Sequence, residues 1–171
     1  YSVYPRSSGM EVNQICNLTG GPYKFENYKA RGRVVFLNKP PMCQYRAVGH
    51  PIAITVTEGL VEMAASAIDM ESMEMRKLNM VADDDYPNKT VSGIPVENLS
   101  HQASTDKLME MVNYDEIRDE QKKLRQEGIF RGVGFAALIE VTNPGPAFYG
   151  VGGAPISAQD GCSVKLDAKG N

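Results

Sequence analysis

The sequence predicts an α+β fold, a mixed sheet with helices packed against it, on three observations. Apolar residues recur at helical spacing after Pro51. The runs YKARGRVVFL and IFRGVGFAALIEV have the β-branched, aromatic or continuous apolar content of strands. Helical and strand stretches come in clusters and do not alternate as βαβ units.

Taken in order, residues 1–26 mix glycine, proline and polar residues with short apolar stretches and define no element. Residues 28–37 read as a strand. The stretch NKPPMCQYRAVGHP, with three prolines and a glycine, interrupts regular structure. A helix is expected after Pro51, because proline suits a first helical turn. Val56, Leu60, Met63, Ala64, Ala67 and Ile68 fall on one face of it, with Glu58 and Glu62 pointing elsewhere. A second helix is expected over residues 71–79, acidic early and basic late (Arg76, Lys77), as the helix dipole favours. ADDDYPNKTVSGIPVENLS is a polar excursion over the surface. Ser104 or Thr105 caps a helix running through Val112, and residues 114–127 form a charged helix, a solvated face closed by Gly128. Residues 129–141 and 162–166 read as strands. Between them NPGPAFYGVGGAPISAQDG, with five glycines and three prolines, is long enough to carry function as well as connect.

Length and charge bound the function. A chain of 171 residues makes one domain or a slice of a larger one. Its net charge of -3 and scattered Lys and Arg form no basic stripe, which argues against nucleic acid as partner. No apolar run approaches the roughly 18 residues of a bilayer span, so a cytoplasmic protein without membrane attachment is expected. Cys16, Cys43 and Cys162 are far apart, form no CxxC pair and suit a reducing compartment better than a disulfide or zinc framework. The chain opens directly in YSVYPRSSG, and LDAKGN reads as a hairpin turn whose return strand would follow it. Ends set by something other than a domain boundary are therefore expected.

For chemistry the informative place is the join between QYRAVGHP and the helix that follows. A glycine-containing loop at a helix N-terminus can aim several backbone N–H groups at one point, where the dipole also favours negative charge. A phosphate, a carboxylate or a metal-bound oxygen fits there; the plainer reading is a turn. Elsewhere, Gly132-Val133-Gly134 and Gly150-Val151-Gly152-Gly153 lack the spacing of a dinucleotide fingerprint. Asp83, Asp84 and Asp85 are consecutive, which suits a solvated acidic turn better than a metal site. Glu140, embedded in the run LIEV, is the carboxylate expected to be buried, either with a raised pKa or bonding nearby backbone N–H groups.

The segment FLNKPPMCQYRAVGHPIAITVTEGLVEMAASAIDMESMEMRKLNMV resembles the large subunits of molybdenum hydroxylases of the xanthine dehydrogenase, aldehyde oxidase and carbon monoxide dehydrogenase type. Their pattern runs TN-x-x-P-x-x-A-F/Y-R-G-x-G-x-P, then a helix ending A-x-x-L-G-M-D-P-x-E-L-R-x-x-N. Asn38, Tyr45, Arg46, Gly49 and Pro51 match the loop; Met70, Glu74, Arg76 and Asn79 match the helix ending. RGVGFAALIEVTNPGP and SVKLDAKGN are similar to later family segments, so the likeness covers most of residues 23–171.

The resemblance implies that residues 1–171 are a partial molybdenum-cofactor-binding domain of a larger subunit, inactive alone although the parent protein is an enzyme. It implies a molybdenum–molybdopterin cofactor, with Tyr45, Arg46, Ala47 and Gly49 on the cofactor side of the loop and the Arg46 N–H directed to an oxygen on the metal. Val48 and His50 fall on the substrate side; Val48 stands where xanthine dehydrogenases carry a stacking Phe, and no protein side chain is expected to ligate metal. Carbon monoxide dehydrogenase holds copper on a Cys that here is Ala47, so that activity is not expected. The implied reaction is hydroxylation of an electron-poor carbon of an N-heterocycle or aldehyde, with water as oxygen source. Electrons would leave through iron–sulfur clusters to FAD on other domains or subunits, so the implied partners are a small-molecule substrate, the remainder of the large subunit, and iron–sulfur and flavin subunits. The family's base glutamate lies far towards its C-terminus, and no residue here matches it. The alternative is a non-catalytic anion-binding or scaffold module using the same loop.

Overall fold

The computed structural model describes residues 8–40, 46–140 and 162–169. In chain order these form α1 (Ser8–Leu18), α2 (His50–Ala67), α3 (Ser72–Asn79), a 3-10 turn (Asp83–Asp85), β1 (Asn88–Lys89), β2 (Pro95–Val96), α4 (His101–Val112) and α5 (Tyr114–Gln126). The α+β class holds. The described sheet is a single antiparallel hairpin, β1 against β2, with Asn88 opposite Val96. The expected strands over residues 28–37, 129–140 and 162–166 have no regular secondary structure and carry no ladder among the described residues. Their apolar side chains stay open to solvent, Phe130 at 80% and Val164 at 85%. A strand needs a partner far along the chain or outside it, and local composition does not supply one. The expected glycine-rich loop over residues 143–161 lies outside the described residues, as do Cys43 and Tyr45.

Helix α1 was not expected, and it packs on α2. Helix α2 begins where Pro51 suggests, but it buries the opposite face from the expected one. His50, Ala53, Thr57, Glu58, Val61 and Ala65 face inward, whereas Val56, Leu60, Met63 and Ile68 are exposed. The cause is a polar cluster that draws Glu58 in. The Tyr23 hydroxyl donates to Glu58 Oε1 at 2.7 Å, and Arg76 Nε donates to Glu58 Oε2 at 2.9 Å. Arg76, 2% exposed, also reaches Glu62 Oε2 at 3.0 Å and the Ser72 carbonyl at 3.0 Å. On the same face the Thr57 hydroxyl donates to the Ala53 carbonyl and accepts from Gly20 N–H at 2.9 Å. A buried carboxylate is tolerated only when paired and hydrogen-bonded, and here both oxygens have donors.

Local signals fix the ends of the other helices. Glu71 caps α3, its carboxylate accepting from the N–H of Met73 at 2.7 Å and of Glu74 at 3.1 Å. Helix α4 starts ahead of Ser104, because its free amides are met from outside: Asp83 accepts from Gln102 N–H at 3.0 Å and Ala103 N–H at 2.9 Å. Helix α5 ends as expected. Gly128, at φ 78°, donates to the Arg125 carbonyl, and Ile129 N–H to that of Leu124, a glycine-closed C-terminus. Segment 20–24 then lies along residues 79–81 through Lys24 N–H to Asn79 and Val81 N–H to Pro22. Tyr23, Val61 and Met80 form the centre of the core.

Segment 129–140 is pinned by side chains. Gln121 donates to the Arg131 carbonyl at 2.8 Å, and Phe135 meets the Tyr114 ring edge-on at 5.3 Å. His101 Nε2 lies 2.9 Å from the Leu138 carbonyl, an acceptor, so that nitrogen is the protonated one. No single helix among the described residues is long and apolar enough to cross a membrane.

Two outcomes are expected. Arg76→Met strands the buried Glu58 carboxylate and destabilises by roughly 3–5 kcal/mol; Glu58→Gln, which leaves Arg76 its partner Glu62, costs less, and the double variant falls well short of the sum, as measured by a denaturant-unfolding cycle. Stability also falls in alkali. Burial and the hydrogen bond to Glu71 push the Tyr114 hydroxyl up to about 12, and burial and Glu58 push Tyr23 up further. The folded state holds these protons more tightly than the unfolded chain, so their contribution is complete below the ordinary tyrosine value of 10.0 and is lost as pH rises through about 12. Unfolding midpoints measured between these pH values should fall in wild type and less in Tyr114→Phe.

Candidate functional site

The loop entering α2 has an unusual backbone. Ala47 sits at φ 52° and Gly49, the residue before the first turn, at φ 76°. Left-handed geometry is tolerated by alanine at a cost and by glycine freely. Gly49 has a second constraint. A Cβ there would lie 2.8 Å from the Glu11 carbonyl oxygen, 3.0 Å from Ile15 N and 3.1 Å from Gln14 Cβ, so α1 lies directly against the loop.

Within the loop His50 N–H donates to the Ala47 carbonyl at 2.7 Å, closing the turn, and Ala53 N–H donates to the Gly49 carbonyl at 3.0 Å. The Val48 and Gly49 N–H groups have no acceptor among the described residues. Pro51 has no N–H to satisfy. The α2 N-terminus, uncapped by any side chain at Gly49, therefore presents donors where an anion or a polarised oxygen would be stabilised.

The side chains sort by depth. Arg46 is exposed, Ala47 and Val48 are half-buried, and Gly49 and His50 are buried. Tyr45 lies outside the described residues. The His50 ring turns inward, with Nδ1 3.0 Å from the Ala47 carbonyl and 3.3 Å from that of Val48. Its Nε2 lies 3.9 Å from Glu140 Oε1. Glu140 is not buried as expected: its side chain is 46% exposed, at the end of a segment that joins no sheet among the described residues.

Residues of α1 also converge here, although nothing in the sequence pointed to them. Gln14 is 1% exposed, with neither side-chain oxygen nor nitrogen bonded to a described residue, and Asn13 Nδ2 is likewise buried without a described partner. Buried amides ordinarily find partners, so these two side chains are a polar inconsistency among the described residues. No run of apolar spacing marks α1, and no single-sequence signal distinguishes Gln14 from a surface glutamine.

The acidic triplet is structural: Asp83 caps α4 and Asp85 bonds Lys24 at 2.5 Å. Among the described residues no three His, Cys, Asp or Glu side chains converge on a metal position. Cys16 and Cys162 are free thiols. A large apolar cavity, about 790 Å³, lies away from the loop, between α1, the outer face of α2 and residues 25–31. A cavity of about 10 Å³ lies beside His50, against Ile54, Thr57 and Leu138.

Known proteins share this arrangement. A family model described as a molybdopterin cofactor-binding domain matches residues 2–80, which hold α1, the loop, α2 and α3. The chain is 30% identical over 172 residues to the 6-hydroxypseudooxynicotine dehydrogenase complex subunit gamma of Paenarthrobacter nicotinovorans, covering 96% of this chain and 21% of that protein. It is 23% identical over 169 residues to the carbon monoxide dehydrogenase large chain of Hydrogenophaga pseudoflava, covering 92% of this chain and 20% of that one. The crystal structure of quinoline 2-oxidoreductase from Pseudomonas putida 86 superposes with a TM-score of 0.72 at 28% identity, over 82% of this chain and 18% of that one. The chain thus spans about a fifth of the length of the relatives it matches. With the family model lying across α1, the loop, α2 and α3, and two dehydrogenase subunits and an oxidoreductase each matching over 82–96% of this chain, the chain belongs to the molybdenum hydroxylase family.

Proposed function

We propose that residues 1–171 form part of the molybdenum-cofactor-binding domain of a hydroxylase large subunit, in which residues 45–50 border the molybdopterin site. The observation that carries this reading is the pair of amides, Val48 and Gly49, that have no acceptor among the described residues, at the α2 N-terminus inside the segment matched by the cofactor-domain family. Two donors and a helix dipole suit an oxygen that carries or develops negative charge. Tyr45, Arg46, Ala47 and Gly49 form the cofactor side. Val48 and His50 form the substrate side, Val48 at its surface and His50 behind it. When bound, the cofactor supplies the oxidation of an electron-poor carbon, in an N-heterocycle or an aldehyde, with water as oxygen source.

This chain's own residues hold and exclude. The amides present fixed dipoles that need no reorganisation during reaction. The small side chains of Ala47 and Gly49 let the backbone approach closely, and Val48 shapes an aliphatic wall without the face of an aromatic ring. No residue here is assigned as catalytic base, so turnover requires the remainder of the large subunit, and electron transfer requires iron–sulfur and flavin partners. The exposed outer face of α2 and the segments without ladders support such a covering neighbour. We place the parent enzyme in the cytoplasm, with a small molecule as substrate.

Two measurements on the complete subunit with its partners test this. Gly49→Ala forces a side chain onto the Glu11 carbonyl and into left-handed backbone, and molybdenum content should drop at least about fivefold, the equivalent of ~1 kcal/mol of strain. Undiminished metal content defeats the reading. Val48→Phe should keep molybdenum content and shift the kcat/KM ratio of a flat bicyclic heterocycle over a small aldehyde by about 2- to 12-fold, the worth of one aromatic contact. An unchanged ratio removes Val48 from the substrate wall.

A further inference from the structure

His50 belongs to the loop, yet its buried side chain does not face outward, and both ring nitrogens are placed. A carbonyl oxygen only accepts, so Nδ1, which lies against the Ala47 and Val48 carbonyls, must carry a proton. In a trans peptide the C=O and the following N–H point in opposite directions. Holding the Ala47 carbonyl therefore turns the Val48 N–H away from His50, and holding the Val48 carbonyl does the same for Gly49 N–H. Those are the two amides that no described residue occupies.

The other nitrogen, Nε2, is buried and makes no hydrogen bond to a described residue. Glu140 Oε1 lies 3.9 Å away on a half-exposed side chain, beyond ordinary hydrogen-bond distance. The backbone just before it is fixed through the Leu138 carbonyl and His101. The ring thus spans from the loop to segment 129–140, more than 80 residues further along the chain.

We infer that His50 is the positioning residue of the loop, clamping the Ala47 and Val48 carbonyls through Nδ1–H, with its ring held between the loop and the Glu140 carboxylate, 3.9 Å from Nε2. The consequence for cofactor retention rests on the function proposed above; the clamp itself does not. The two substitutions that mimic one nitrogen each separate its halves. Asparagine places an N–H near the Nδ1 position and gives up Glu140; glutamine reaches towards Glu140 and gives up the carbonyls.

The test uses the holoenzyme containing this chain, comparing His50→Ala, His50→Asn, His50→Gln and Glu140→Gln. Hydrogen exchange of a peptide covering residues 46–54 and molybdenum content are both measured. Losing the clamp should loosen the turn and speed exchange of its hydrogen-bonded amides, at residues 50 and 53, about five- to tenfold in His50→Ala and His50→Gln, the effect of one hydrogen bond. His50→Asn should return exchange to within about twofold of wild type, and Glu140→Gln should fall between. Exchange in His50→Ala equal to wild type, or His50→Asn no slower than His50→Ala, overturns the inference. Faster exchange with undiminished molybdenum in both His50→Ala and Gly49→Ala keeps the clamp and defeats the cofactor reading. Unchanged exchange with molybdenum lost only in Gly49→Ala does the reverse.

Discussion

The buried Arg76–Glu58 pair is the interaction on which the rest of the described fold depends. It joins α2 to α3, and through the Tyr23 hydroxyl it adds segment 20–24, so three pieces of chain meet at one carboxylate. Taking two charges out of water is costly, and the pair is sustained only because each oxygen of Glu58 has a donor and Arg76 has further acceptors in Glu62 and Ser72. Charge complementarity therefore decides which face of α2 turns inward. The hydrophobic stripe does not, and Val56, Leu60 and Met63 are left outside.

That choice places the loop. With Glu58 and Thr57 drawn inward, the same face of α2 carries His50 and Ala53 at its start, and Gly49 comes to rest against α1 at distances only glycine permits. The left-handed residues Ala47 and Gly49 turn the chain sharply into the helix that starts at His50. The strain is local and the compensation remote: α1 behind Gly49 and Glu140 beside His50.

The outer surface follows the opposite logic. The unused apolar face of α2 and the segments around Phe130 and Val164 are exposed on a chain that spans about a fifth of its relatives. A hydrophobic stripe reports that a face is covered. It does not report by what.

By itself the sequence determined what is local. Pro51 set the start of α2, Glu71 the cap of α3, Gly128 the end of α5, and QYRAVGHP marked the loop as a place where a helix N-terminus meets a glycine. Each is an interaction within a few residues, and residue type suffices to specify it. Tertiary structure alone decided that Glu58 is inside, since its partners lie 18 and 35 residues away. It alone began α4 ahead of Ser104 by means of Asp83, 19 residues from Gln102. It alone brought Gln14 behind Gly49 and His50 beside Glu140. These contacts are set by how separate elements pack, and spacing along one chain holds no record of it.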